Sequence, residues 1–235
     1  MADTSWKRKE YDTWDEAFRG LAPAVRQQSI RVAAYTQALF VQACADHFGG
    51  GSEAGKARIR GQYADTAYKC GLYHQLGKAM VPPEYQILQR DFTEEELAVY
   101  RKYTTDGLAL VIGLQAKSLS LRDKRKGRKT GYATENVPWL MIRESCQQHM
   151  ERWDGSGYPE GLKGRQIPLE ARIMAIADVY DALVSKRCYK DSMPFDKADA
   201  IIMEGMGTQF DKSLEKYYVA ARPKLEEYYR GLQSE

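Results

Sequence analysis

HMERWDGSGYPEGLKGRQIPLEARIMAIADVYDALVSKRCYKD, residues 149–191, is the stretch on which the reading of this chain turns. A histidine stands near the end of one predicted helix, Gly157-Tyr158-Pro159 lies in a glycine-rich turn, and a second predicted helix carries Asp178 and Asp181. Asp154-Gly155-Ser156-Gly157 can take backbone angles closed to other residues, and Pro159 restricts the exit, so the turn is positioned rather than slack. Pro168 suits a first-turn position, and Ile173, Ile176, Ala177, Tyr180 and Leu183 recur on one helical face. Asp178 falls inside that stripe. A carboxylate there needs a metal, a cation or hydrogen-bond donors, because an unpaired buried charge is too costly to keep.

Around this stretch, 235 residues with 43% apolar content suffice for one large soluble domain. No run of eighteen apolar residues occurs, and MADTSWKRKEYDTWDE lacks a signal-peptide core, so no membrane association and a cytoplasmic location are expected. Cys44, Cys70, Cys146 and Cys188 have no CxxC spacing and read as free thiols. A net charge of +3 exerts no global pull toward nucleic acid.

The remaining chain reads as helices. Apolar periodicity predicts one over Pro23–Phe48 and another over 53–78. Pro82-Pro83 breaks the chain, and a capping box at Thr93 and Glu96 starts a helix expected to run through Val111. Residues 115–135 hold the basic block Arg122-Asp123-Lys124-Arg125-Lys126-Gly127-Arg128-Lys129 and read as an inserted loop. Further helices are expected from Asn136–Pro138 toward His149, over Phe195–Glu204, and over 214–232 with an interruption at Pro223. The expected organisation is an N-terminal extension (1–22), one domain (23–222) and a helical tail (223–235).

Gly157-Tyr158-Pro159 within ERWDGSGYPEGLKG, followed by IPLEARIMAIADVYDAL, resembles the HD-GYP family, bacterial metal-dependent phosphodiesterases of cyclic di-guanylate within the HD superfamily. The resemblance implies an all-α fold, an HD-superfamily helical bundle with a GYP loop. It also implies ligand positions, several altered here. Gln28 stands where the family pattern HSxRV has its histidine, Gln75 where HDxGK has the bridging aspartate, Tyr103 where KRHP has its histidine, and Met150 in a further ligand position. His74, His149 and Asp178 remain. Carried over, one metal would meet Gln28, His74, Gln75 and Asp178, and the other Gln75, Tyr103, His149 and Met150. A binuclear hydrolase holds its cations about 4 Å apart, and neither amides, a phenol nor a thioether supplies the anionic charge that requires. The expectation is no cofactor, or at most one weakly bound divalent metal. His74 and His149 then read as hydrogen-bonded core histidines, Asp178 as their ion-pair partner or a ligand to that single metal, and Asp181 as a structural acceptor.

The nucleotide side is better kept. Lys78, Tyr158, Arg187 and Lys190 match family positions that contact the dinucleotide. Cations suited to phosphate oxygens in those positions point to recognition. The leading expectation is therefore a catalytically degenerate, non-enzymatic signalling module. It would bind cyclic di-GMP, another cyclic dinucleotide or a related phosphorylated ligand, or dock a signalling protein partner. The alternative is an active metal-dependent cyclic di-GMP phosphodiesterase with a reduced metal site. Nucleic-acid binding through the basic loop is a third, disfavoured by the charge balance.

Overall fold

The computed structural model describes residues 9–48, 53–87, 91–125, 137–185 and 192–233. Helices succeed one another: α1 (Trp14–Arg19), α2 (Pro23–Phe48), α3 (Glu53–Tyr73), a 3-10 turn (Leu76–Met80), α4 (Pro83–Gln86), α5 (Glu94–Arg101), α6 (Tyr103–Arg125), α7 (Val137–Gln148), α8 (Leu169–Val184), α9 (Phe195–Glu204) and α10 (Glu215–Gln233). The protein is all-α. None of the described helices is long and apolar enough to cross a membrane.

Local signals set the helix starts. Thr13 caps α1 and Thr93 caps α5, each with a reciprocal glutamate three residues on. Pro168 and Pro194 directly precede α8 and α9. α2 lies along α3, α8 and α10, while α7 packs on α3, α6 and α8. Their shared core includes Val32, Leu39, Phe40, Ile173, Ile176 and Tyr180, and Tyr35 meets Tyr180 edge-on at 5.3 Å. Burying each large apolar side chain here is worth about 1.5–3 kcal/mol. α8 is thereby held rigidly at the centre, which gives Asp178 a fixed position. Tyr11, Ala17 and Leu21, from the expected extension, and Leu225 and Tyr229, from the expected tail, belong to the same core.

Several expected boundaries are corrected. The second helix stops at Tyr73, and the chain tightens into the 3-10 turn. Within that turn Gly77 comes so close to α6 that a Cβ would lie 1.8 Å from the Tyr103 carbonyl oxygen. The single helix expected from Thr93 through Val111 is divided at Lys102 into α5 and α6. Residues 115–125 are helical rather than loop. That part of α6 is held by polar contacts that periodicity does not register: Gln115 accepts from Arg143, Ser118 accepts from the Trp14 indole, and Lys117 bonds the Tyr11 carbonyl and Asp12. The rest of the basic insertion, 126–135, lies outside the described residues. Pro223 does not interrupt α10, whose inner face, Tyr218, Ala221, Leu225 and Tyr229, is buried on both sides of it. Cys70 and Cys146 are free and buried; the Cys44 and Cys188 side chains are outside the described residues.

Candidate functional site

The GYP turn is pinned from three sides. The buried Glu151 carboxylate accepts the backbone N–H groups of Glu160 (2.7 Å) and Leu162 (3.0 Å). The N–H groups of Trp153 and Asp154 donate to the carbonyls of Gln209 and Thr208, joining this turn to Gly207-Thr208-Gln209-Phe210-Asp211. Tyr158 N–H donates to the Met150 carbonyl, and the Tyr158–Pro159 peptide is cis. Gly157 is required for this closure, since a Cβ there would sit 2.4 Å from Arg152 N and 2.5 Å from Glu151 Cα.

Behind the turn, the candidate residues meet. Asp178 projects from α8 with its side chain 18% exposed, so it faces a cleft rather than the apolar stripe expected for it. The stripe's buried carboxylate is Asp181, which accepts from Arg31 Nε at 2.7 Å and from Ser185 Oγ at 3.0 Å, a structural acceptor as expected. Asp178 Oδ1 accepts from the side-chain amides of Gln28 (2.9 Å) and Gln75 (3.2 Å). His74 Nε2 is 3.4 Å from that same oxygen. Burial pushes the Asp178 pKa up, but the neighbouring His74 first and then Lys78 outweigh it and leave the carboxyl well below its usual range.

Each histidine is fixed by a carbonyl. His74 Nδ1 lies 2.6 Å from the Gly71 oxygen and His149 Nδ1 2.9 Å from that of Ser145, so each Nδ1 carries the proton. His149 Nε2 is left as an acceptor, and the Tyr103 hydroxyl donates to it at 2.8 Å. Burial, with His74 beside it, lowers the His149 pKa to about 3, so the ring is neutral. Burial likewise raises the Tyr103 pKa, which keeps the phenol a donor. Among the described residues, no group of three or more His, Cys, Asp or Glu is arranged to hold a metal ion.

A second set of side chains forms an aromatic wall. Tyr85, Phe92, Tyr100, Tyr103 and Tyr158 cluster with Val81 and Met150. Lys78 is buried against it, with Nζ 5.2 Å from the Tyr103 ring and 5.5 Å from the Tyr100 ring. Met150 therefore fills volume beside the wall, the ordinary work of a methionine. A cavity of about 240 Å³ opens between this wall and α8, lined by residues that include Arg101, His149, Arg152, Tyr158, Asp178 and Gln209.

The structure thus brings Gln28, His74, Gln75, Lys78, Tyr103, His149, Met150, Tyr158 and Asp178 into one region. Arg187 and Lys190 lie outside the described residues. Sequence reading missed Arg101 and Glu151. Arg101 stands two residues before a ligand position, which was a usable signal; nothing in the sequence marks Glu151 as the clamp of the loop.

Comparison with known proteins adds kinship. Residues 60–214 match the family model described as HD domain. The chain is similar to a cyclic di-GMP phosphodiesterase of Vibrio cholerae, with 35% identity over 69% of this chain and 30% of that protein. It is also similar to a cyclic di-GMP phosphodiesterase of Thermotoga maritima, at 30% over 67% of this chain and 37% of that protein. A 3'3'-cGAMP-specific phosphodiesterase of Vibrio cholerae is 29% identical over 86% of this chain and 34% of its own length. The chain spans about a third of the length of these curated relatives. With the helical bundle and the clamped Gly-Tyr-Pro turn, these matches establish that the chain belongs to the HD-domain family, in its HD-GYP branch.

Proposed function

We propose that this chain recognises a cyclic dinucleotide in the cleft behind the GYP turn and does not carry out hydrolysis of the family type. One observation carries the reading. Two of the atoms through which a pair of divalent cations would be held are already engaged: Asp178 Oδ1 by the amides of Gln28 and Gln75, and His149 Nε2 by the Tyr103 hydroxyl. Amide N–H groups serve the carboxylate as cation substitutes, and a phenol serves the imidazole as a proton donor. The donor set does not fit two dications, because anionic ligands to offset their repulsion are lacking. Recognition has separate supports. Lys78 holds a buried charge beside the aromatic wall, Tyr158 forms the cavity's edge, and Arg187 and Lys190 are further cations in family positions.

The second reading is a cyclic-dinucleotide phosphodiesterase with a reduced site holding one divalent metal, and the relatives' names favour it over a non-enzymatic role. A specific observation also favours it: the buried Gln75 Oε1 finds no hydrogen-bond partner and is available as a neutral oxygen ligand near His74 and Asp178. The two separate in one experiment on the full chain. Metal content is measured after purification without chelator, followed by calorimetric titration with cyclic di-GMP and a product assay with added manganese or ferrous ion. Binding without product supports the first reading; product formed with a stoichiometric metal supports the second. Neither binding nor product would leave docking of a protein partner as the better account.

A further inference from the structure

We infer that Arg101 is a ligand-contacting residue, its guanidinium taking a phosphodiester of the cyclic dinucleotide while held over the Tyr158 ring. The inference rests on the binding reading above and gives a ligand contact to a residue that stands where the KRHP pattern has its lysine. Arg101 closes α5, immediately before the break at Lys102, and its side chain is exposed at the mouth of the cavity. Its Cζ lies 5.0 Å from the Tyr158 ring centroid. A cation–π contact of this kind restrains the guanidinium over the ring and leaves N–H groups for the bidentate phosphate recognition that arginine favours.

Charge commitment separates Arg101 from the arginines of the core and from Arg152, which lines the same cavity. Arg31, Arg172 and Arg222 are tied to Asp181, Asp211 and Asp199. Arg152, which also lines the cavity, has Nε 4.0 Å from Asp154. No carboxylate among the described residues pairs with Arg101, so its charge is available to a ligand. Asp178 at the cavity floor repels an anion, which places the phosphate at the rim where Arg101 stands. At about 240 Å³ the cavity is smaller than the ~300–1,000 Å³ that encloses a drug-sized molecule, so it takes one phosphodiester with its sugar while the remainder lies across the mouth.

The test is calorimetric titration of the full chain with cyclic di-GMP in chelator-containing buffer at two salt concentrations. Wild type is compared with Arg101→Ala, Arg101→Lys and, as a charge control outside the cavity, Lys102→Ala. Arg101→Ala is expected to weaken binding by about tenfold or more, the loss typical of a charged hydrogen bond. Arg101→Lys should recover part of that, since it keeps charge but not the fork, and Lys102→Ala should stay within about twofold. Arg101 is exposed, so these variants should fold, and matching circular dichroism spectra check this. Wild-type binding that Arg101→Ala leaves unchanged overturns the inference while sparing the binding reading. An equal loss in Lys102→Ala also overturns it, by reducing Arg101 to bulk charge. Absence of wild-type binding overturns both.

Discussion

Replacing Tyr103 by phenylalanine isolates the hydrogen bond that engages His149. Both side chains are about 2% exposed, and the rings keep their volume, so no cavity term enters. What is lost is a 2.8 Å donor to His149 Nε2. The imidazole cannot turn to satisfy the orphaned nitrogen without giving up the 2.9 Å bond from Nδ1–H to the Ser145 carbonyl. The cost is therefore that of an unsatisfied buried acceptor, about 1–3 kcal/mol, rather than the ~1 kcal/mol net value of an ordinary hydrogen bond. Urea unfolding at 25 °C, followed by far-ultraviolet circular dichroism, should show a lowered midpoint at unchanged slope. A loss smaller than about 0.5 kcal/mol would refute the reasoning, since it would mean that water already reaches His149 Nε2 and that the nitrogen is open to a metal as well.

Other perturbations test the surrounding framework. Glu170 is buried and its pKa is raised above 4.5, by burial first and then by the neighbouring Glu144 carboxyl. Its stabilising contribution is therefore complete below 4.5 and lost as pH rises toward the folded pKa; the melting temperature of wild type relative to Glu170→Gln should fall from pH 5 to pH 8, and a pH-independent difference would contradict this. Arg31→Met leaves Asp181 buried without its cation and should cost about 3–5 kcal/mol in urea unfolding; a change below ~1 kcal/mol would show the pair to be solvated. Glu151→Ala removes the acceptor of two loop N–H groups, and faster amide exchange at Glu160 and Leu162 than elsewhere in the domain is the expected signature.

The bundle was legible because α2 and α8 bury long apolar faces whose 3.6-residue period survives in the sequence. Where the period fails, so did the reading. The outer end of α6 is held by Gln115, Lys117 and Ser118, polar residues indistinguishable in sequence from those of a loop. The division at Lys102 falls in a run, 93–106, that holds no Pro or Gly to mark it. The candidate site was legible as a set of residues through the family pattern. Its internal pairing was not, because the bonds from Gln28 and Gln75 to Asp178 join positions 150 and 103 residues apart. Asp178 was expected inside the apolar stripe of α8, yet the carboxylate that α8 encloses is Asp181, paired with Arg31 of α2.

The central claim is that binding persists here without metal-dependent hydrolysis, and the most direct test is a turnover assay on the full chain loaded with manganese or ferrous ion and saturated with cyclic di-GMP. The account predicts a calorimetric binding signal with no linear dinucleotide accumulating. Accumulation of the linear product, abolished by His149→Ala, would contradict it and show that His149 and Asp178 release their hydrogen bonds to hold a catalytic metal.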